Sequence, residues 1–303
     1  MKKLFFGLTF FIILVIGGIY TLLFTSLGNG IVASKIEDIA NEKEGVNFKV
    51  NKFVLTTSNI EFDASVDENS NINIIGDLAL LAKTVDLKFN LDIKDLSKLE
   101  KFTNQKLNGS FKTNGTLKGN QELAKLEGIT DIFKSNTTYD VELKNFEPSN
   151  ILFDMKKANI KEILYLVNQP IYANGNIDIN ANIKNAKIDT LDGLIKTKIT
   201  NGVVANSIVN KAFNTKLKEI LAFKGDITTK LVPNSVLSKV DFYTSMANIF
   251  VKEANVDLKT MAIKSDYLVN VADLSKLFDV TQTKMRGNID INGNIKKDKD
   301  LLV

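Results

Sequence analysis

The sequence has no cysteine, no histidine and no tryptophan, a single arginine and three prolines. Without cysteine, no disulfide holds the fold, although this leaves the redox compartment undetermined. Zinc sites lean on Cys and His, and Ser–His or Cys–His nucleophilic catalysis requires an imidazole. Bidentate recognition of phosphates and base edges leans on arginine, and Arg286 stands alone. The net charge of +4 is spread over interleaved Lys, Asp and Glu rather than gathered into a basic block. No nucleic-acid partner is therefore expected. Acidic stretches such as "DVELKNFEPSN" lack the spacing of a calcium loop, and no Gly-rich loop carries Lys-Ser/Thr at phosphate-loop spacing. Carboxylate neighbours such as Asp189 and Asp192 have no sign of a pocket around them. The reading is of a chain without catalytic residues, metal or cofactor.

What is present is apolar and periodic. Of the 303 residues, 44% are hydrophobic, enough for a sizeable core. Leu4–Phe24 is an uncharged run of 21 residues preceded by Lys2 and Lys3. As a helix it would rise about 30 Å, the thickness of a bilayer core. A cleaved signal peptide is the competing reading, but its apolar region is typically about 7–15 residues, and no small-x-small site follows Phe24. An uncleaved anchor over residues 1–27 is expected, with the rest of the chain exported by the positive-inside rule.

Residues 28–43 have near-helical apolar spacing, and from Gly45 the period becomes two. "VDLKFNLDI" alternates without error, with Val85, Leu87, Phe89, Leu91 and Ile93 on one face. The same pattern recurs at Ile60–Val66, Tyr139–Leu143, Tyr267–Val271, and at Ile177, Ile179, Ile183 and Ile289, Ile291, Ile295. Helical stretches are expected at Lys161–Asn168 and Ser207–Phe223, while "VLSKVDFYTSMANIF" is ambiguous. Antiparallel sheet with one wet face is the expected architecture. Residues 28–303 carry no Pro- or Ser-rich linker and read as one continuous domain.

One decapeptide is written twice. "GNIDINANIK" begins at Gly175 and "GNIDINGNIK" at Gly287. "DLSKL" also occurs twice, at Asp95–Leu99 and Asp273–Leu277, and each Asp is followed 14 residues later by a glycine, Gly109 and Gly287. Six residues beyond these stand Gly115 and Gly293; in a looser copy beginning near Asn159, Gly175 is followed six later by Ala181. Each copy reads as a strand end, a short crossover, then a new strand opened by glycine. Three such units suggest a repeated β array with insertions. The final unit stops soon after its signature strand, which suggests a segment of a longer protein.

The single N-terminal anchor, the alternating strands and the "DLS-L…G-(I/F)-x-(I/T)-x-(G/A)-x-(I/L)-K" unit resemble the AsmA-like family of envelope proteins of Gram-negative bacteria. The resemblance runs over essentially the whole chain. It implies an elongated, twisted antiparallel β-groove in the periplasm, anchored in the inner membrane. It further implies phospholipids as partners, moved between inner and outer membranes in support of outer-membrane homeostasis. Outer-membrane proteins assembled by strand addition are the alternative partners. Periodicity alone leaves open whether the dry face is covered by helices, by a second sheet or by acyl chains. In the groove reading the eleven residues from Val85 to Ile93, Ile177 to Ile183 and Ile289 to Ile295 named above form one apolar lining.

Overall fold

Error-free alternation yields a strand, and Thr84–Ile93 is one. The computed structural model describes residues 29–42, 47–56, 58–79, 82–100 and 104–298. The expected anchor, residues 1–27, lies outside them. No described helix is long and apolar enough to cross a membrane. Fifteen strands form a single open sheet whose spatial order is the order of the chain, β1 to β15. By its contacts the chain divides into two units. The first is Met1–Ile132 with Glu142–Glu147 and Tyr165–Gln169; the second is Phe133–Val141, Pro148–Leu164 and Pro170–Val303.

The first unit opens with helix α1 (Asn29–Asn41), followed by β1 (Phe48–Leu55), β2 (Asn59–Val66), β3 (Ser70–Ala79), β4 (Thr84–Ile93), β5 (Phe111–Asn120) and β6 (Ala124–Thr130). An unpaired strand edge is a template for unwanted pairing. Here α1 occupies the outer edge of β1. Glu37 accepts from the Val50 amide at 2.6 Å, Asn29 from the Leu55 amide at 3.1 Å, and Asn41 both accepts from and donates to the Phe48 backbone. Registers Ile60↔Gly76, Gly76↔Leu87 and Leu87↔Leu117 set one apolar row across β2–β5. Most of this face is covered: Leu87 is 1% exposed, and Ile60, Phe62, Leu91, Ile93, Leu117 and Leu126 are buried.

β7 (Asn136–Lys144) follows β6. The second unit is dominated by β8 (Glu147–Asn159), β9 (Ala173–Asn185), β10 (Asp192–Val204), β11 (Ala222–Val232), β12 (Ser235–Thr244), β13 (Asn248–Asp257), β14 (Ile263–Val271) and β15 (Ile289–Lys297). Helix α2 (Ile160–Leu166) connects β8 to β9, α3 (Asn206–Phe213) β10 to β11, and α4 (Phe278–Thr281) β14 to β15. Helix α3 is much shorter than the Ser207–Phe223 expected from apolar spacing. It stops at Asn214, whose left-handed backbone (φ 52°, ψ 38°) ends the helix. Beyond it, the Leu217 amide donates to Asn210 at 2.8 Å, and Phe223 already belongs to β11. The ambiguous "VLSKVDFYTSMANIF" is the β12–β13 hairpin; its turn is tied by Thr244, which accepts from the Met246 and Ala247 amides.

The repeat is a structural unit. Asp95 and Asp273 each cap a 3-10 turn, accepting from the amide and hydroxyl of Ser97 and Ser275 respectively. The Leu96 amide donates to the Gly109 carbonyl at 2.8 Å, and the Leu274 amide to the Gly287 carbonyl at 2.9 Å. Both glycines have positive φ, 90° and 100°, and both stand two residues before a strand. Strand pairing is also superposable, from Ile93↔Phe111 and Val271↔Ile289 to Val85↔Gly119 and Ile263↔Lys297. The looser copy departs at its glycine. Gly175 lies inside β9, opposite a bulge at Asn201–Gly202, with φ 147°.

Candidate functional site

Because antiparallel registers are continuous from β8 to β15, side chains two apart on each strand line up into rungs across the second unit. One rung runs Ala158, Ile177, Ile199, Gly225, Phe242, Ile249, Val269, Ile291. The next runs Met155, Ile179, Thr197, Ile227, Val240, Val251, Tyr267, Gly293, and a third runs Phe153, Ala181, Ile195, Thr229, Ser238, Ala254, Ser265, Ile295. The fourth begins Ile151, Ile183, Gly193, Leu231, Val236, Val256, Ile263 and reaches Lys297. Bulges preserve this order. Two residues are looped out between Met155 and Ala158 and two between Val251 and Ala254, so the dry side stays dry. In β8 the looped pair is Lys156–Lys157, and the Lys157 amide is held by Asp178 at 2.7 Å.

Apart from Lys297 at the end of the fourth, polar side chains on the rungs carry hydroxyls rather than charges. Thr229 and Ser238 hydrogen-bond each other at 3.0 Å, which removes much of their demand for water. The charges lie on the other face, where Lys198 stands between Asp178 and Asp226 in the ladder. There Asp154 is held below the usual carboxylate range, chiefly by the Asn180 amide at 3.1 Å and further by Lys156. Lys239 is held above the ordinary lysine value by its hydrogen bond to Asp241 at 2.7 Å.

Exposure separates the two units. From β10 to β14 the apolar side chains of the rungs are half-buried, Ile249 more exposed still, until Val271 at the end of β14 is buried. At an inter-strand spacing of about 4.8 Å and a two-residue step of about 6.7 Å, the six strands β10–β15 and four rungs span roughly 24 by 20 Å. That is the size of the largest apolar patch on a typical monomer, which is often functional.

No family model, curated protein or solved structure matches this chain.

The residues expected to form one lining fall into three environments. Val85, Leu87, Leu91 and Ile93 are buried in the first unit, with Phe89 half-buried. Ile177 and Ile179 are half-buried on the rungs, and Ile183 is buried. Ile289, Ile291 and Ile295 on β15 are exposed, Ile295 to 54%. Of the repeat glycines, Gly115 and Gly293 lie on dry faces opposite Phe89 and Tyr267. The middle of the site, β10–β13, was not found from the sequence. Its signal was present in Ile227, Val240 and Val251, masked by the Thr and Ser that share their face. Among the described residues no set of three acidic side chains gathers where a metal could sit.

Proposed function

We propose that this chain is an AsmA-like, inner-membrane-anchored periplasmic protein that takes phospholipid acyl chains on the rungs of its second unit and passes them between inner and outer membranes. One observation carries the reading. The same two-residue alternation that is mostly buried in the first unit is left half-exposed over β10–β14. An acyl chain laid along a rung meets apolar side chains and a few hydroxyls, of which Thr229 and Ser238 are paired, with no charge to desolvate before Lys297. Each methylene taken from water is worth up to about 0.8 kcal/mol. Residues 1–27 supply the anchor in this proposal.

The test is photo-crosslinking of the full-length protein in intact cells from Ile179, Ile227 and Val251, with Asp178 and Lys198 as outward controls. Phospholipid adducts confined to the three inward positions are expected. Equal labelling at inward and outward positions, or none at any, overturns the proposal.

A second reading, a scaffold that adds strands of outer-membrane proteins, is favoured by β15. Its outer edge is unpaired among the described residues, whereas α1 blocks the edge of β1. Protein adducts from Ile291 in place of lipid adducts from Ile227 would select it.

A further inference from the structure

The two ends of the second unit's strands differ in kind. At one end the connections are tight: Asn234 turns β11 into β12, and Asp189 pairs with Lys259 at 2.9 Å. The exposed large apolar side chain there is Ile188. At the other end lie the β8–β9 crossover with α2 and the two longest ones, residues 205–221 and 272–288, with the short turn 245–247 between these two. Asp279 joins the two longest crossovers. Its carbonyl accepts from the Lys216 amide at 3.2 Å, and its carboxylate from the Lys218 and Glu219 amides at 2.7 and 3.3 Å.

This joined end exposes bulky apolar groups that core packing would have claimed. Phe213 is 65% exposed and Ile220 74%, and Phe278 and Val280 flank Asp279 on α4 in the open. Around them are six exposed cations, Lys211, Lys216, Lys218, Lys276, Lys284 and Arg286. None forms an ion pair among the described residues. Three carboxylates share the end. Two of them are turned onto backbone amides, Asp273 on Ser275 and Asp279 on Lys218 and Glu219. Lys276 still acts on the Asp273 charge, and the six cations are exposed to solvent.

We propose that this end of the second unit docks on an anionic bilayer surface, with Phe213, Ile220, Phe278 and Val280 entering the headgroup–acyl boundary and the six cations meeting lipid phosphates. Apolar side chains ringed by Lys and Arg are the composition of interfacial membrane contact, inserted by about 5–10 Å. Anionic lipid strengthens it by about 1 kcal/mol per cation near the surface, a factor of about five each. A protein partner of acidic surface would satisfy the charges. It would leave Phe213 and Ile220, 65% and 74% exposed, without an apolar environment. The inference does not depend on lipid occupying the rungs.

The absence of cysteine makes the test clean. Single cysteines at Phe213, Ile220 and Ile188 in the full-length protein are labelled with an environment-sensitive fluorophore. The protein is then floated with vesicles of phosphatidylcholine alone or mixed with phosphatidylglycerol. Labels at Phe213 and Ile220 should shift to the blue and be quenched by lipid-borne quenchers on the mixed vesicles, while the label at Ile188 remains aqueous. Lys211→Glu, Lys216→Glu and Lys218→Glu together should weaken the docked state by more than a hundredfold, about five per cation before reversal is counted. Labels at Phe213 and Ile220 that stay as aqueous as that at Ile188, or that move equally on neutral vesicles, overturn the proposal. So does photo-crosslinking from Phe213 in cells that yields protein rather than lipid adducts.

Discussion

Phe89 lays its ring over Gly115, its cross-strand partner, so that a Cβ built on that glycine would stand 2.6 Å from the ring's Cζ. Tyr267 covers Gly293 in the same register of the later copy, and Phe153 faces Ala181 in the looser one. The glycine six residues beyond the opening glycine of β5 and of β15 is thus the floor for an aromatic ring, a device that pins strand register. Gly115→Ala should cost about 1–3 kcal/mol, because the new methyl meets the Glu127 carbonyl and Gly128 as well as the ring. Gly293→Ala should cost less, since every near atom belongs to the tip of the Tyr267 side chain. Urea midpoints of the two variants check the order.

Aspartate should act differently on the two units. Leu87→Asp places a carboxylate where exposure is 1%, and a loss of several kcal/mol, enough to unfold the first unit, is expected. Ile227→Asp lands on the half-buried rungs of the second unit. It should leave the circular dichroism spectrum and melting temperature nearly unchanged while abolishing phospholipid adducts from Val251.

The edge guard of β1 is open to direct test. Glu37→Ala and Asn41→Ala should each lose about 1 kcal/mol of net hydrogen bonding. Amide exchange at Val50 and Phe48 should accelerate with little change in β4. Uniform acceleration through both strands would show that α1 supports the unit as a whole instead of guarding its edge.

Acid should weaken the fold through two turns. Asp273 is held below the ordinary carboxylate value first by the Ser275 hydroxyl and then by its amide. Asp257 is lowered first by the Thr260 amide and then by its hydroxyl. A folded-state pKa below the unfolded value means that the stabilisation is complete above about pH 4 and is lost as pH falls through the folded value. The urea midpoint should therefore drop as pH falls below about 4. Asp273→Asn should shrink the drop, as measured by denaturation at each pH.

The parts of the fold written most plainly in the sequence are those where packing leaves no choice. β4 carries five apolar residues on one face and is buried, so its alternation is complete. The crossover from Asp95 to Gly109 was legible because a capped turn and a positive-φ glycine each demand particular residues. β10–β13 were opaque for the opposite reason. Their dry face is only half-covered, so Thr197, Thr229, Ser238 and Ser265 are tolerated beside Ile and Val, and the period blurs. The bulges at Asn201 and at Lys252–Glu253 shift its phase as well. The overlong helix arose because Leu217, Ile220 and Leu221 keep helical spacing in a strap that is held by Asn210 and Asp279.

Strand order that follows chain order has a consequence for how such a chain comes into being. Each strand's partner is the segment synthesised just before it, so no contact in the sheet waits for a distant part of the sequence. Most of the loops to be closed are short, and for the longer crossovers such as residues 205–221 the entropy of closing grows only logarithmically with length. Hairpins form in about 1–10 μs, while a ribosome adds about 5–20 residues per second. A chain emerging from its N-terminal end can therefore zip onto itself one strand at a time. At any moment only the newest edge is exposed to aggregation, and that edge is covered as soon as the next connection and strand arrive, about thirty residues at most.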